Sequence, residues 1–134
     1  WFDSGDIYTE RLATKIYNVM LQTPETNHWL PTRSYKVPEI YDWLISMSLL
    51  GNVAVRYSSD SKDGERLDFG NNSTIIQYKD EFIPEKGVSL CRAAERGGAC
   101  GACRACWSKR VDTIVYPFHG KAVAPKKFEE NLIV

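Results

Sequence analysis

The sequence predicts an α/β fold: a partial βα barrel-like parallel sheet with an appended four-cysteine metal-binding loop. In the first half of the chain, short apolar runs alternate with segments of helical period, which is typical of βα units. The second observation is that all four cysteines fall between Cys91 and Cys106. The chain has 134 residues and is 43% hydrophobic, which is enough for one globular domain with a buried core.

The first elements are a strand tail and a helix. Trp1 and Phe2 have the composition of the end of a strand, and residues 3–6 are turn and capping types. A helix running to about Gln22 is predicted by apolar residues at helical spacing: Leu12, Ile16, Val19 and Met20. Thr23 and Pro24 should end it, because the residue before proline avoids helical backbone.

Two more strands and a second helix follow. A short strand is predicted at residues 28–30, and a helix should begin near Pro38 and end at Gly51. The apolar positions of that helix are Ile40, Trp43, Leu44, Met47 and Leu50. Residues 53–57 form the third predicted strand. A βαβαβ unit of this kind implies parallel pairing with right-handed crossovers.

The pattern is less regular after residue 60. Residues 60–73 are charged and rich in turn formers, residues 74–78 predict a strand, and residues 113–116 predict a buried strand before Pro117. We therefore divide the chain into three parts: a βαβαβ core with an acidic loop region (1–87), a cysteine lobe (88–112), and a final strand and tail that pack on the core (113–134).

The cysteine spacing points to a metal site formed by Cys91, Cys100, Cys103 and Cys106. Disulfides between cysteines three residues apart would close tight loops and add little stability. The compact CxxCxxC run is like the first ligands of a ferredoxin-type loop, whereas zinc ribbons usually separate two CxxC pairs. The spacing thus favours an iron–sulfur cluster, with 4Fe–4S preferred, over zinc, and disulfides and free thiols remain minor alternatives.

Basic side chains surround these cysteines. Residues 91–110 contain five basic residues and one acidic residue, Glu95; the basic ones are Arg92, Arg96, Arg104, Lys109 and Arg110. A zinc tetrathiolate or a cubane would carry about two net negative charges, which such a surround would stabilise. The same residues are candidates for binding an anion or a nucleic acid, or they form a solvated face.

The overall composition argues against a general nucleic-acid binder and against a membrane-spanning protein. The 17 basic and 17 acidic residues balance, so the chain lacks the overall positive charge of a general nucleic-acid binder. No apolar run reaches the roughly 18 residues of a membrane span, so we expect a soluble chain without a membrane partner. The oligomeric state is not predicted.

A polar rim is predicted where the strands end. In parallel α/β sheets, chemistry usually takes place at the carboxyl ends of the strands. The catalytic candidates there are Asp3, Asp6, Arg33 and His119. Asp6 could instead cap the first helix, Arg33 is also placed to clamp an anion, and His119 could lie in an ordinary loop.

Four motifs in order resemble the gene product 88 family of phage and plasmid proteins. They lie at residues 1–6 (Trp-Phe-Asp-Ser-Gly-Asp), 29–33 (Trp-Leu-Pro-Thr-Arg), 100–107 (the CxxCxxC run with Trp107) and 114–120 (Ile-Val-Tyr-Pro-Phe-His-Gly). The resemblance implies that this chain corresponds to the carboxyl-terminal half of a member, and that members carry a further cysteine segment upstream. It implies a location in the cytoplasm of a bacterial host cell but no particular activity. A weaker, fold-level likeness is to radical S-adenosylmethionine enzymes with an auxiliary cluster.

Two functions are therefore expected. The favoured one is a phage- or plasmid-encoded accessory protein whose metal site stiffens a basic lobe that binds nucleic acid or a host protein. The alternative is the carboxyl-terminal part of a radical S-adenosylmethionine-like iron–sulfur enzyme. Because this chain contains neither a CxxxCxxC triad nor a glycine-rich cofactor loop, a metal-bound lobe without catalysis is the more economical interpretation, and whether the protein is an enzyme is not predicted.

Overall fold

The computed structural model of the protein describes residues 1–2, 5–60, 65–76 and 82–117, with backbone only at residues 72 and 74–76. It has mixed α/β architecture. The helices are α1 (Glu10–Gln22) and α2 (Pro38–Ser48), and the strands are β1 (His28–Thr32), β2 (Val53–Ser58), β3 (Asn71–Ile76), β4 (Val88–Leu90) and β5 (Thr113–Pro117). Short 3-10 turns lie at Ser34–Lys36, Ala93–Arg96 and Ala105–Trp107.

The helices begin where local chemistry favours it. Thr9 caps α1 by accepting a hydrogen bond from the backbone N–H of Leu12 at 3.1 Å, and Pro38 opens the first turn of α2. The predicted apolar faces are largely confirmed; the buried positions are Ala13, Ile16 and Met20 in α1 and Ile40, Leu44 and Met47 in α2. Val19 is an exception, since it is 45% exposed.

All strand pairs are parallel, and the strands lie in the order β1-β2-β3-β5-β4. The described strands form an open sheet and do not show a barrel. Each parallel connection needs a crossover, and α2 supplies the one between β1 and β2. The parallel α/β prediction is confirmed at this level.

The two faces of the sheet have different coverings. Leu30, Val55 and Tyr57 point to the face covered by α1 and α2, where they join the main hydrophobic core. Side chains alternate along a strand, so their neighbours point to the opposite face. Pro31 and Arg56, which are partners in the sheet register, both point to this opposite face. The cysteine lobe packs against this second face.

Some strand predictions need correction. Trp1 and Phe2 are not a strand among the described residues, although the Trp1 nitrogen donates to the Trp29 carbonyl at 3.0 Å. β3 lies at Asn71–Ile76, upstream of the predicted 74–78, and residues 77 and 78 lie outside the described residues. β4 was not predicted, because three residues are too few to show a period. β5 confirms the predicted final strand.

Candidate metal centre and adjoining groove

Arg56 fastens the cysteine lobe to the sheet. It is fully buried in the middle of β2, and its guanidinium donates hydrogen bonds to four backbone carbonyls of the lobe. The acceptors are Cys106 (2.9 Å), Val111 (2.9 Å), Ala105 (3.0 Å) and Ser108 (2.7 Å). A rigid planar fork of donors suits several carbonyls at once, which an ammonium group could not match. Residues 105–111 are thereby held in one position over β2.

The four cysteines line one small cavity of about 30 Å³ in the lobe. All four are free thiols; Cys91 and Cys106 are partly buried, and Cys100 and Cys103 are exposed. Apolar side chains complete the wall, among them Leu90, Ile114 and Trp107. Within the described ranges, however, no three His, Cys, Asp or Glu side chains already form a ligand group around one point. The thiols therefore share a cavity without being arranged as ligands.

The buried end of this cavity is polar. The Cys106 sulfur shares a hydrogen bond with the Tyr116 hydroxyl at 3.4 Å. Burial raises the pKa of the Cys106 thiol, while the hydrogen bond from Tyr116 and the positive charge of Arg56 lower it. Burial also raises the pKa of Tyr116 far above its usual value, so this phenol stays protonated. The net pKa of the Cys106 thiol is raised, because burial outweighs the Tyr116 hydrogen bond and the Arg56 charge, which act in the opposite direction.

The basic residues of the lobe mostly contact the lobe itself. Arg96 donates to the Cys100 carbonyl at 2.9 Å, and Arg104 donates to the carbonyls of Gly101 and Cys103, both at 2.7 Å. The guanidinium carbon of Arg104 also lies 5.6 Å from the centre of the Trp107 ring. These side chains therefore stabilise the backbone around the exposed cysteines.

The other predicted basic residues have contacts of different kinds. Arg92 forms an exposed ion pair with Glu95 at 3.4 Å, and Arg110 is exposed. Lys109 reaches across to α2 and donates to the carbonyls of Ser48 and Leu50 at 2.6 and 2.9 Å. Lys109 thus joins the lobe to the helical layer.

Asp6 organises the strand ends instead of presenting a free carboxylate. One of its oxygens accepts from the Thr32 hydroxyl at 2.6 Å and the Ile7 N–H at 2.8 Å, and the other accepts from the Arg33 N–H at 2.7 Å. With these donors Asp6 fixes the segment before α1 to the exit of β1. Of the other catalytic candidates, Asp3 and His119 lie outside the described residues.

Arg33 stands at the mouth of an open groove on the lobe face of the sheet. Its Nε and Nη2 donate to the Ser59 carbonyl at 3.4 and 3.2 Å, and it pairs with the exposed Asp60 at 3.3 Å. The groove has a volume of about 600 Å³. Its lining includes Trp29, Arg33, Ser58, Ser73, Trp107 and Tyr116. Trp107 and Tyr116 separate the groove from the cysteines. Trp107 lines both the groove and the cysteine cavity, and Tyr116 lines the groove while its hydroxyl contacts the Cys106 sulfur.

The family model for gene product 88 matches residues 1–109, a range that contains all four cysteines. The chain belongs to the gene product 88 family. No curated protein and no solved structure matches it, and none of the comparisons supports the likeness to radical S-adenosylmethionine enzymes. The family description names no activity, so the function of this member has to be argued from its site.

Sequence reasoning missed part of the site of this family member. Arg56 stands out afterwards as a lone charge inside an apolar strand, Val53–Ser58, and that pattern is a usable signal for a buried arginine. Tyr116 gave no comparable signal, because a tyrosine in a β-strand is ordinary. Trp107, which directly follows the CxxCxxC run, lines the cysteine cavity. Within the described part of the chain, no helix is long and apolar enough to cross a bilayer.

Proposed function

We propose that the chain binds a metal centre through Cys91, Cys100, Cys103 and Cys106, with an iron–sulfur cluster favoured over zinc. The observation that carries the proposal is that all four thiols line a single cavity of the lobe. Four thiolates are a complete ligand set for a 4Fe–4S cluster or for tetrahedral zinc. The CxxCxxC spacing is the reason for favouring iron–sulfur.

Charge compensation supports this proposal. Four thiolates with zinc, or with a resting 4Fe–4S core, leave about two net negative charges. Arg56 places a buried cation next to Cys106. Arg96 donates a hydrogen bond to the Cys100 carbonyl, and Arg104 donates one to the Cys103 carbonyl. Such surrounding donors and cations orient thiolate ligands and stabilise the charged centre.

The thiols have to converge when the metal binds. Cys100 and Cys103 are exposed, and the chain before them contains Gly97 and Gly98, both with positive φ. This loop is able to move without disturbing the sheet, whereas Cys106 is held by the Arg56 contact and Cys91 by its N–H bond to the Val115 carbonyl at 2.8 Å. Two ligands are thus anchored and two are on an adaptable loop. Metal binding should order that loop.

The experiment is metal analysis of protein prepared without oxygen from cells supplied with iron. We expect a brown protein containing iron and sulfide, with a visible absorption band that dithionite bleaches. Cys103→Ser should lose the metal, and the exposed lobe residue Arg110→Gln should keep it. A colourless wild-type protein with one zinc per chain would reject the cluster but retain the site, and stoichiometric metal in Cys103→Ser would reject the assigned ligands.

A second proposal concerns the exposed basic side chains of the lobe as a surface for nucleic acid or a host protein. It is supported by the exposure of Arg92, Arg96 and Arg110, and opposed by the internal hydrogen bonds of Arg96. Replacing Arg92, Arg96 and Arg104 together should abolish salt-sensitive retention on immobilised nucleic acid. If the wild-type chain itself shows no such retention, this role is excluded.

An enzymatic role as part of a partial βα barrel is the remaining alternative. It is supported by both helices covering the same face of a parallel sheet, as in a barrel wall, while the groove lies on the other face. It is weakened by Asp6, whose carboxylate already accepts three structural hydrogen bonds. The metal-binding function is the better-supported conclusion.

A further inference from the structure

The groove beside the cysteine lobe has the features of a small-molecule site. Its volume of about 600 Å³ is within the usual range for ligand pockets, and it opens at the carboxyl ends of parallel strands. Pro31 from β1, Ser58 from β2, Ser73 from β3 and Tyr116 from β5 all contribute to its lining. The groove therefore spans four neighbouring strands, on the face that the helices do not cover.

One end of the groove is aromatic. The rings of Trp29 and Trp107 meet edge to face, with centroids 5.2 Å apart and an interplanar angle of 62°, so they form a corner. Both side chains are only partly buried, and Trp1 also contributes to the lining. Planar aromatic ligands gain stacking free energy on such surfaces.

Trp29 has a second property. Its indole N–H is buried and has no hydrogen-bond partner among the described residues. A buried donor without an acceptor costs free energy, and a ligand ring that carries acceptor atoms would remove that cost. This feature favours a heteroaromatic ring over a plain hydrocarbon ring.

The other end of the groove is polar and carries Arg33. Trp29 lies in β1 and Arg33 directly follows the last residue of that strand, so their backbone positions are separated by roughly 13 Å. The guanidinium of Arg33 is half-exposed, and its ion pair with Asp60 is at the surface, where such pairs contribute little. Asp60 also pairs with Lys36. An incoming phosphate could therefore replace Asp60 at Arg33 while Asp60 keeps its lysine partner.

We propose that this groove binds a mononucleotide, with the base against Trp29 and Trp107 and the phosphate at Arg33. The hydroxyls of Ser58 and Ser73, which lie 3.0 Å apart, line the groove level with Arg33, where they would contact the ribose next to the phosphate. Because Trp107 also borders the cysteine cavity, the bound base would lie next to the proposed metal centre. The binding site itself does not depend on whether that centre is iron–sulfur or zinc.

The test is titration of the full chain with guanosine 5′-monophosphate, guanosine and inorganic phosphate, followed by calorimetry. Guanine offers two acceptor atoms on one edge, which suits the unpaired N–H of Trp29. We expect a dissociation constant below about 1 mM for the nucleotide and at least tenfold weaker binding of guanosine and of phosphate alone. Failure to saturate with the nucleotide, or equal binding of phosphate alone, would overturn the proposal.

Three variants identify the contacts. Arg33→Gln should weaken nucleotide binding at least tenfold and leave guanosine binding unchanged, whereas Trp29→Phe should weaken both. Arg11→Gln, on the exposed side of α1, is the matched control and should change neither. Unchanged nucleotide binding in Arg33→Gln would refute the phosphate assignment, and unchanged guanosine binding in Trp29→Phe would refute the base assignment.

Metal content measured on the same samples keeps the two proposals separate. A metal-loaded chain that does not bind the nucleotide overturns the groove assignment alone. A metal-free chain that binds the nucleotide overturns only the metal centre. The two failures are thus distinguishable.

Discussion

Replacing Arg56 with methionine removes the side chain that joins the cysteine lobe to the sheet. Methionine keeps an unbranched side chain of similar length in the buried position but cannot donate hydrogen bonds. The carbonyls of Ala105, Ser108 and Val111 each keep another donor, from Ser108 N–H, Val111 N–H and the Asn71 amide respectively. The Cys106 carbonyl loses the guanidinium bond at 2.9 Å.

These contacts set the size of the effect. A hydrogen bond from a charged donor contributes about 1.5–3 kcal/mol, and a buried carbonyl that loses its donor costs about 1–3 kcal/mol. Removing a buried cation relieves its desolvation cost, which offsets part of this loss. We expect Arg56→Met to lower the free energy of unfolding by about 3 kcal/mol. Arg56→Lys should be intermediate, because an ammonium reaches fewer of the four carbonyls.

Urea unfolding measures the total loss, and amide hydrogen exchange locates it. Faster exchange is expected at the N–H groups of Trp107, Ser108 and Val111, whose turn hydrogen bonds lie in the fastened segment. Arg66→Met is the control, since Arg66 pairs with Glu85 at the surface. A loss below about 1 kcal/mol in Arg56→Met, with unchanged exchange in the lobe, would refute the fastening role.

Three further predictions follow from particular residues. Burial lowers the pKa of His28 below its ordinary 6.5, with the Trp1 ammonium as a smaller cause. The unfolded chain therefore binds the proton more readily, so the contribution of His28 to stability should be complete above pH 6.5 and fall below it. His28→Gln should flatten this pH dependence of the unfolding free energy, and equal slopes in the two proteins would contradict the prediction. Gly70→Ala should lower the free energy of unfolding, measured with urea, by about 1–3 kcal/mol, because Gly70 has φ +59° and a new Cβ would lie 2.5 Å from the Tyr57 ring. The control Gly51→Ala, at a position with open space around it, should change this free energy by less than about 1 kcal/mol. Tyr116→Phe should make the reduction potential of a bound cluster more negative by removing a donor to the Cys106 sulfur, and an unchanged potential in redox titration would exclude that donor role.

The layered α/β framework was predictable because its signals are local. Helical spacing and Pro38 at the start of α2 depend on neighbouring residues, and the parallel pairing of β1 and β2 follows from the helix between them. The cap of α1 was not predicted correctly, because Thr9 caps the helix and Asp6 does not. The strand order was not predictable: β5 lies between β3 and β4, an arrangement set by packing across the whole sheet. The short β4 carried too little pattern to be recognised.

The candidate site was predictable only in part. The cysteine spacing indicated a shared location, and all four thiols do line one cavity. The partners that polarise it are distant in the sequence: Arg56 lies 50 residues before Cys106, and its contact depends on how the lobe folds back over β2. Asp6 was a catalytic candidate because of its place at a strand end, yet its carboxylate holds Thr32 and Arg33 in position. Residue type and topology give the location of such groups, but not their hydrogen-bond partners.

The central claim is that the four cysteines form one metal site, and metal stoichiometry tests it most directly. Iron, sulfide and zinc should be measured per chain in anaerobically prepared wild-type protein and in variants with each cysteine separately changed to serine. We predict one stoichiometric centre in the wild type and its loss or strong weakening in all four variants, because every thiol is a ligand. Wild-type protein without stoichiometric metal after supply of both iron and zinc, or full occupancy in any cysteine variant, would contradict the claim.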